Sequence, residues 1–172
     1  VPKVYESSQT RAFKLGRTET IRSATRQSQA FIQAMESPSA SAADKIAAAR
    51  AAFEVHGKLG GAAAQAQGCD RHLLGLLLQA KDQGETPPRL FDQEVWTRGW
   101  ELSTAQLPMN ALLVNSFGPV TAAGYGIGYV IQKNDITATV VSFNAHPDTS
   151  SRRMALEIRK TLEEMRALFE QA

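Results

Sequence analysis

The spacing of apolar and polar positions gives the chain two textures. After a short β-prone opening over residues 1–8, the pattern turns helical, and from Trp100 onward it takes the alternation of strands. Gly16 breaks the opening strand, and the spacing predicts a helix over 25–35. Ser37-Pro-Ser-Ala-Ser41 is a turn whose Ser41-x-x-Asp44 signal caps an alanine-rich helix. That helix is expected to run to about His56 and to resume after interruptions at Gly57 and Gly60-Gly61. Ala48, Ala49, Ala51 and Ala52 fit either close helix packing or simple helix propensity.

Residues 70–81 read as an apolar helix with Leu73, Leu74, Leu77 and Leu78 as its core face, stopped by Gly84-Glu-Thr-Pro-Pro88. One or two helical turns follow over 92–96. Strands are expected over 100–104 and 111–116, then a hairpin of 126–132 with 136–143 around Lys133-Asn134-Asp135. Pro147-Asp-Thr-Ser150 caps a final helix whose stripe is Met154, Ala155, Ile158, Leu162, Met165 and Phe169. The order predicts an α/β two-layer sandwich with a mixed β-sheet and helices largely on one side.

At 172 residues, with 43% apolar and 21% charged positions, the chain is long enough for one domain that needs no covalent staples. A net charge of +2, with scattered cations, is too small to imply nucleic acid, and no nucleic-acid partner is expected. The single cysteine, Cys69, excludes an intrachain disulfide and a multi-cysteine metal site, and reads as a buried small hydrophobe. No apolar run reaches the length of a transmembrane segment. The opening Val-Pro-Lys-Val-Tyr has the features of neither a signal nor a transit sequence, resembles the interior of a longer chain, and leaves the compartment open.

Chemistry concentrates in the fourteen residues from Tyr5 to Thr18, which hold a tyrosine, several hydroxyls, one carboxylate and the cations Arg11, Lys14 and Arg17. Hydroxyl donors beside cations suit a small polar anion, and the strip also fits an exposed strand and loop. Its Tyr5-Glu-Ser and Gly16-Arg-Thr-Glu-Thr-Ile-Arg22 elements resemble the signature of the choline/carnitine O-acyltransferases. Three further blocks resemble that family in order: Asp70-Arg-His-Leu73, Leu102-Ser-Thr-Ala-Gln106, and Phe117-Gly-Pro-Val120 followed by Gly124-Tyr-Gly-Ile-Gly-Tyr129.

The resemblance implies a coenzyme A-dependent acyltransferase fold of the chloramphenicol acetyltransferase-like kind. It also implies transfer of an acyl group between a thioester and the hydroxyl of carnitine or choline. An alcohol is a poor nucleophile at neutral pH, so the reaction needs a histidine base, and pre-aimed donors must meet the charge that collects on the carbonyl oxygen. None of His56, His72 or His146 fits that base, which the family carries in its other half. The chain is therefore expected to be a C-terminal half, inactive alone, whose partner is the N-terminal half. Its substrates would be a small hydroxyl acceptor and acyl-coenzyme A or an acyl carrier protein's phosphopantetheine thioester; no bound cofactor and no metal are expected.

By resemblance, Tyr5, Thr18 and Arg71 hold the carboxylate of carnitine, a guanidinium being able to grip it through two parallel hydrogen bonds. Choline lacks a carboxylate, so Arg71 favours carnitine; the other reading of Arg71 is a salt bridge to Asp70 or another acid. Phe117 corresponds to an aromatic against the trimethylammonium group, or is ordinary packing. Ser7 and Gln106 correspond to coenzyme A contacts. Ser103 and Thr104 correspond to the hydroxyl element beside the reacting carbon, Thr104 also reading as a β-branched strand residue.

Three positions depart from the family pattern. Ala105 replaces a serine beside the oxyanion, where one lost donor costs roughly 2.7–4 kcal/mol. Gly57 stands where some members place an arginine against coenzyme A, with Lys58 as a loose substitute. Asn115 lies at the acyl pocket, where its amide suits a chain that is polar or short. These changes favour, as alternatives, a domain of a polyketide synthase that releases product onto a polyol, or a non-catalytic module that binds an acyl thioester.

Overall fold

A computed structural model describes residues 2–107 and 115–171. Five strands form one mixed sheet: β1 (Val4–Gln9), β2 (Thr18–Ile21), β3 (Leu102–Gln106), β4 (Tyr125–Ile131) and β5 (Ile136–Val141), in the order β2-β1-β3-β4-β5. The outer pairs, β1 with β2 and β4 with β5, are antiparallel; β1, β3 and β4 run parallel. The helices are α1 (Arg26–Glu36), α2 (Ala42–Ala64), α3 (Asp70–Asp82), the short α4 (Glu94–Thr97) and α5 (Ser151–Glu170). A single 3-10 turn, Arg89–Asp92, precedes α4.

Local chemistry sets the helix starts. The Thr25 hydroxyl accepts the Ser28 N–H at 3.0 Å while the Ser28 hydroxyl oxygen accepts the Thr25 N–H at 2.8 Å. Ser41 and Asp44 make the same reciprocal pair at the start of α2. Ser150 caps α5 through the Arg153 N–H, and its own N–H donates to the Tyr125 hydroxyl, which fixes α5 to β4.

The expected interruption at Gly57 and Gly60-Gly61 does not occur: α2 runs unbroken through all three. Glycine costs a helix about 1 kcal/mol at each position. No close approach demands these glycines, since a methyl would meet nothing at Gly57 or Gly61 and only ordinary contact with Ile21 at Gly60; burial of Ala49, Ala52 and Ala63 offsets their cost. Ala48 is half-buried and Ala51 exposed, so the alanines divide between packing and propensity.

Of the expected core face of α3, Leu77 alone is buried; Leu73 and Leu74 are half-buried and Leu78 is exposed. Trp100 precedes its strand rather than joining it. Of the expected strand over 111–116, residues 111–114 lie outside the described residues, and Asn115 and Ser116 are irregular. Cys69 is exposed, contrary to its reading as a buried hydrophobe, because it sits at the start of α3.

Register assigns the two faces of the sheet. Glu6, Thr104 and Ile127 stand side by side across β1, β3 and β4, as do Tyr5, Ser103 and Gly126 one residue away. The Glu6 face is covered: Ile21 meets α2, and Ala138 and Val140 of β5 line an apolar groove with Ile158 and Leu162 of α5. The Tyr5 face is covered only in part: α3 meets it at the β2 edge, where Asp70 accepts the Thr20 hydroxyl, and the segment Asn115–Gly118 crosses it above β4.

Beneath the sheet, Glu6 is only 6% exposed. Its carboxylate accepts the Tyr129 hydroxyl at 3.2 Å, the Gln106 N–H at 3.3 Å and the Thr104 hydroxyl, so one side chain ties three strands together. Burial first, and then the charge and hydrogen bond of Glu6, push the Tyr129 hydroxyl up to about 12. The chain exposes 11974 Å² of solvent-accessible surface. A compact monomer of its mass exposes about 8,300 Å².

Tyr129 makes a pH prediction. An unfolded tyrosine ionises near 10, and the folded one holds its proton to about 12. Its contribution is complete below about 10 and is lost as the pH rises toward 12. The stability gap between wild type and Tyr129→Phe, from urea unfolding, should therefore narrow over that window. A constant gap would contradict the assignment.

Candidate active site

The site forms on the less covered face because strand alternation keeps Tyr5, Ser7, Thr18, Thr20, Ser103 and Ala105 on it, with Thr20 and Ser103 buried. Tyr5 lies along the sheet so that its hydroxyl comes within 3.3 Å of Thr18 Oγ1, joining two residues thirteen apart. Its ring meets Trp100 edge-on at 5.6 Å between centroids, and the Arg22 guanidinium lies 4.9 Å from the same indole.

Arg71 is placed by the start of α3 against the edge strand β2. Buried Glu19 accepts both the Thr20 N–H at 2.7 Å and the Arg71 N–H at 3.1 Å, so it satisfies the helix end that Cys69 leaves without a side-chain cap. Gly68 lies against the Glu19 side chain where a methyl would overlap it.

Asp70 is buried and accepts from Arg71 Nε at 3.1 Å, from Arg71 Nη2, from Arg22 Nη2 and from the Thr20 hydroxyl at 3.4 Å. The alternative reading of Arg71, an ion pair with Asp70, is therefore realised. It does not exhaust a group with five N–H donors. Two guanidiniums on one carboxylate leave the cluster positive, and Lys3 adds to it. Lys3 Nζ donates to the carbonyls of Trp96 and Arg98 at 2.7 Å each and lies 4.6 Å from the Trp100 ring centre. Burial, followed by the nearby Arg22, pulls its pKa below the ordinary lysine range; Asp70 opposes that shift.

On β4, a methyl at Gly126 would overlap the Phe117 carbonyl, and one at Gly128 would overlap Asn115. These glycines let the segment 115–118 descend onto the sheet. Gly126 is level with Ser103 and Gly128 with Ala105. Asn115 and Phe117 are thus brought to the face that holds Ser103, Tyr5 and Thr18.

Two expected site residues fall elsewhere. Thr104 does not stand beside Ser103: alternation turns it to the covered face, where its hydroxyl is occupied by Glu6 and the Tyr5 carbonyl. Gln106 shares that face, level with Tyr129, and the structure does not bring it to Ser7. Lys58, the loose substitute at the Gly57 position, is exposed and paired with Glu54 at 2.6 Å. His56 and His72 are exposed on α2 and α3, and His146 Nδ1 accepts the Asp148 N–H at 3.3 Å.

The motifs assign no role to Glu6, Glu19 or Trp100. The signal for Glu6 and Glu19 is a carboxylate alternating with hydroxyls inside a strand. Among the described residues, no group of His, Cys, Asp and Glu has the arrangement of a metal site, and no helix is long and apolar enough to cross a membrane.

Gly128→Ala tests the descent of 115–118. It should lower stability by roughly 1–3 kcal/mol in urea unfolding, since backbone rather than a flexible side-chain end must move. An unchanged midpoint would show that the segment does not rest there.

A family model described as choline/carnitine O-acyltransferase matches residues 1–160. The chain is 40% identical over 170 residues to carnitine O-acetyltransferase of Columba livia, covering 98% of this chain and 27% of that one. The rat carnitine O-acetyltransferase (Rattus norvegicus) is 38% identical over 168 residues, at 96% and 27% coverage. The muscle isoform of carnitine O-palmitoyltransferase 1 from Homo sapiens is 36% identical over 180 residues, at 96% and 23%. The chain thus spans about a quarter of the length of these relatives.

Proposed function

The chain belongs to the choline/carnitine O-acyltransferase family, and from that premise we propose that it is part of the C-terminal half of an enzyme that moves an acyl group between a thioester and the hydroxyl of carnitine. In this reading the fold is the coenzyme A-dependent acyltransferase fold, and the N-terminal half supplies the histidine base. The observation that carries the proposal is the contact between the Tyr5 and Thr18 hydroxyls on the open face, bordered by a positive cluster anchored on buried Asp70.

The chemistry follows from what those groups offer. The hydroxyls of Tyr5 and Thr18 and the N–H groups that Arg71 does not spend on Asp70 receive the acceptor's carboxylate. Asp70 and Glu19 hold Arg71 at the start of α3. Ser103, buried and level with Tyr5 on the same face, offers a hydroxyl that can donate to oxygen where charge develops. Ser7 on β1 and Asn115 above Gly128 flank the path of the thioester and of its acyl chain. The thioester comes from coenzyme A or from a phosphopantetheine arm.

Arg71→Ala in the complete two-half protein tests this. The carnitine KM should rise at least about 30-fold, with the thioester KM close to unchanged and the unfolding midpoint retained. An unchanged carnitine KM would remove Arg71 from the acceptor site.

A second reading has one observation in its favour. Ala105 faces the reaction side beside Gly128, with the polar Asn115 directly above, so two of the departures meet at one corner. That corner suits a less demanding acyl transfer, such as release of a polyketide onto a polyol. Offering the complete protein carnitine and glycerol with the same acyl thioester separates the two. The principal reading predicts strong preference for carnitine; equal or faster transfer to glycerol supports the second.

A further inference from the structure

In the loop between β1 and β2, residues 10–17, Thr10 is buried and residues 11–17 are exposed, yet the backbone is fixed. The Thr10 N–H donates to the Arg17 carbonyl at 3.1 Å, the Phe13 N–H to the Thr10 carbonyl at 3.1 Å, and the Gly16 N–H to the Phe13 carbonyl at 2.9 Å. Leu15 sits at its tip with φ of 69° and 92% of its surface in water. Left-handed backbone is costly for a leucine, which lacks the local hydrogen bonds that ease it in asparagine. The turn's backbone bonds hold Leu15 there, while its side chain stays in water.

The loop's charge is equally unanswered. Arg11, Lys14 and Arg17 have no acidic residue among them, and the flanking carboxylates, Glu6 and Glu19, are buried and bonded inward. Phe13, half in water, adds a second apolar group.

We infer that this loop is the docking surface for the part of the enzyme's own polypeptide that closes the acceptor site, and that the covering surface presents carboxylates around an apolar pocket for Leu15. The inference rests on the function proposed above. Three observations point to this occupant. Thr18, which touches Tyr5, directly ends the loop, so whatever seals that pair from water must extend over residues 10–17. The chain exposes roughly 3,700 Å² more than a compact monomer of its mass, enough surface for one side of a permanent interface. The relatives extend well beyond the matched region, which leaves polypeptide to supply the cover. A lipid surface would satisfy the cations and Leu15 but could not bring a base to the acceptor.

Single-cysteine reporters in the complete protein test the inference. Leu15→Cys is compared with Asn134→Cys, at the exposed β4–β5 turn, by peptide-resolved maleimide labelling normalised to denatured protein. Docking predicts labelling at residue 15 at least about tenfold slower than at residue 134. Adding Arg11→Glu, Lys14→Glu and Arg17→Glu should restore the faster rate. Equal rates without those changes overturn the inference, as does protection that appears only with phosphatidylserine vesicles. Protection that survives the triple charge reversal overturns the acidic complement. Carnitine acyl transfer is assayed on the same samples: transfer with equal labelling rates sinks the docking surface alone, whereas protection without any transfer counts against the proposed function.

Discussion

Three parallel strands in register, tied from below by the Glu6 carboxylate, create the separation on which this structure depends. Residues at even steps from Glu6 go to helices and apolar side chains; those at even steps from Tyr5 go to the open face. One face is therefore glued by burial, while the other keeps hydroxyls and accepts a crossing segment only where Gly126 and Gly128 leave room. A slip of one residue in β3 would exchange Ser103 for Thr104 and dismantle both faces at once. Glu6 resists that slip because Thr104, Gln106 and Tyr129 all lose an acceptor if it occurs.

Charge is organised by a second buried carboxylate. Asp70 receives two guanidiniums and a hydroxyl, an arrangement that satisfies its lone pairs far better than a single partner would. The pairing also stiffens Arg22 against Trp100 and holds Arg71 at the edge of β2. Because Asp70 neutralises only one of these cations, the cluster remains attractive to an anion while its long side chains are already ordered.

The elements legible in the sequence were those written in local signals. The Ser41–Asp44 box, the Gly84-Glu-Thr-Pro-Pro88 stop, the Lys133-Asn134-Asp135 turn and the Ser150 cap each define a boundary through neighbours in the chain. The glycines in α2 do not end it because their cost is local, whereas the burial of Ala49, Ala52 and Ala63 that holds the helix is set by tertiary packing. Cys69 misled because burial was inferred from residue type, whereas its place at a helix start keeps it in water. In the site, the residues that touch across strands on one face, Tyr5 and Thr18, followed from the family pattern. Thr104 failed because adjacency in a motif is the reverse of adjacency on a pleated strand. The role of Glu6 is not legible because the partners that make a buried carboxylate tolerable lie 98 to 123 residues away in the chain.

The central claim is that Tyr5, Thr18 and Arg71 together receive the carboxylate of the acceptor. A crystal structure of the complete protein with carnitine bound tests it most directly. The account predicts the carboxylate within hydrogen-bonding distance of the Tyr5 and Thr18 hydroxyls and of the Arg71 guanidinium, with Arg71 still held by Asp70. Carnitine bound with its carboxylate on other cations, and the Tyr5–Thr18 pair untouched, would contradict it.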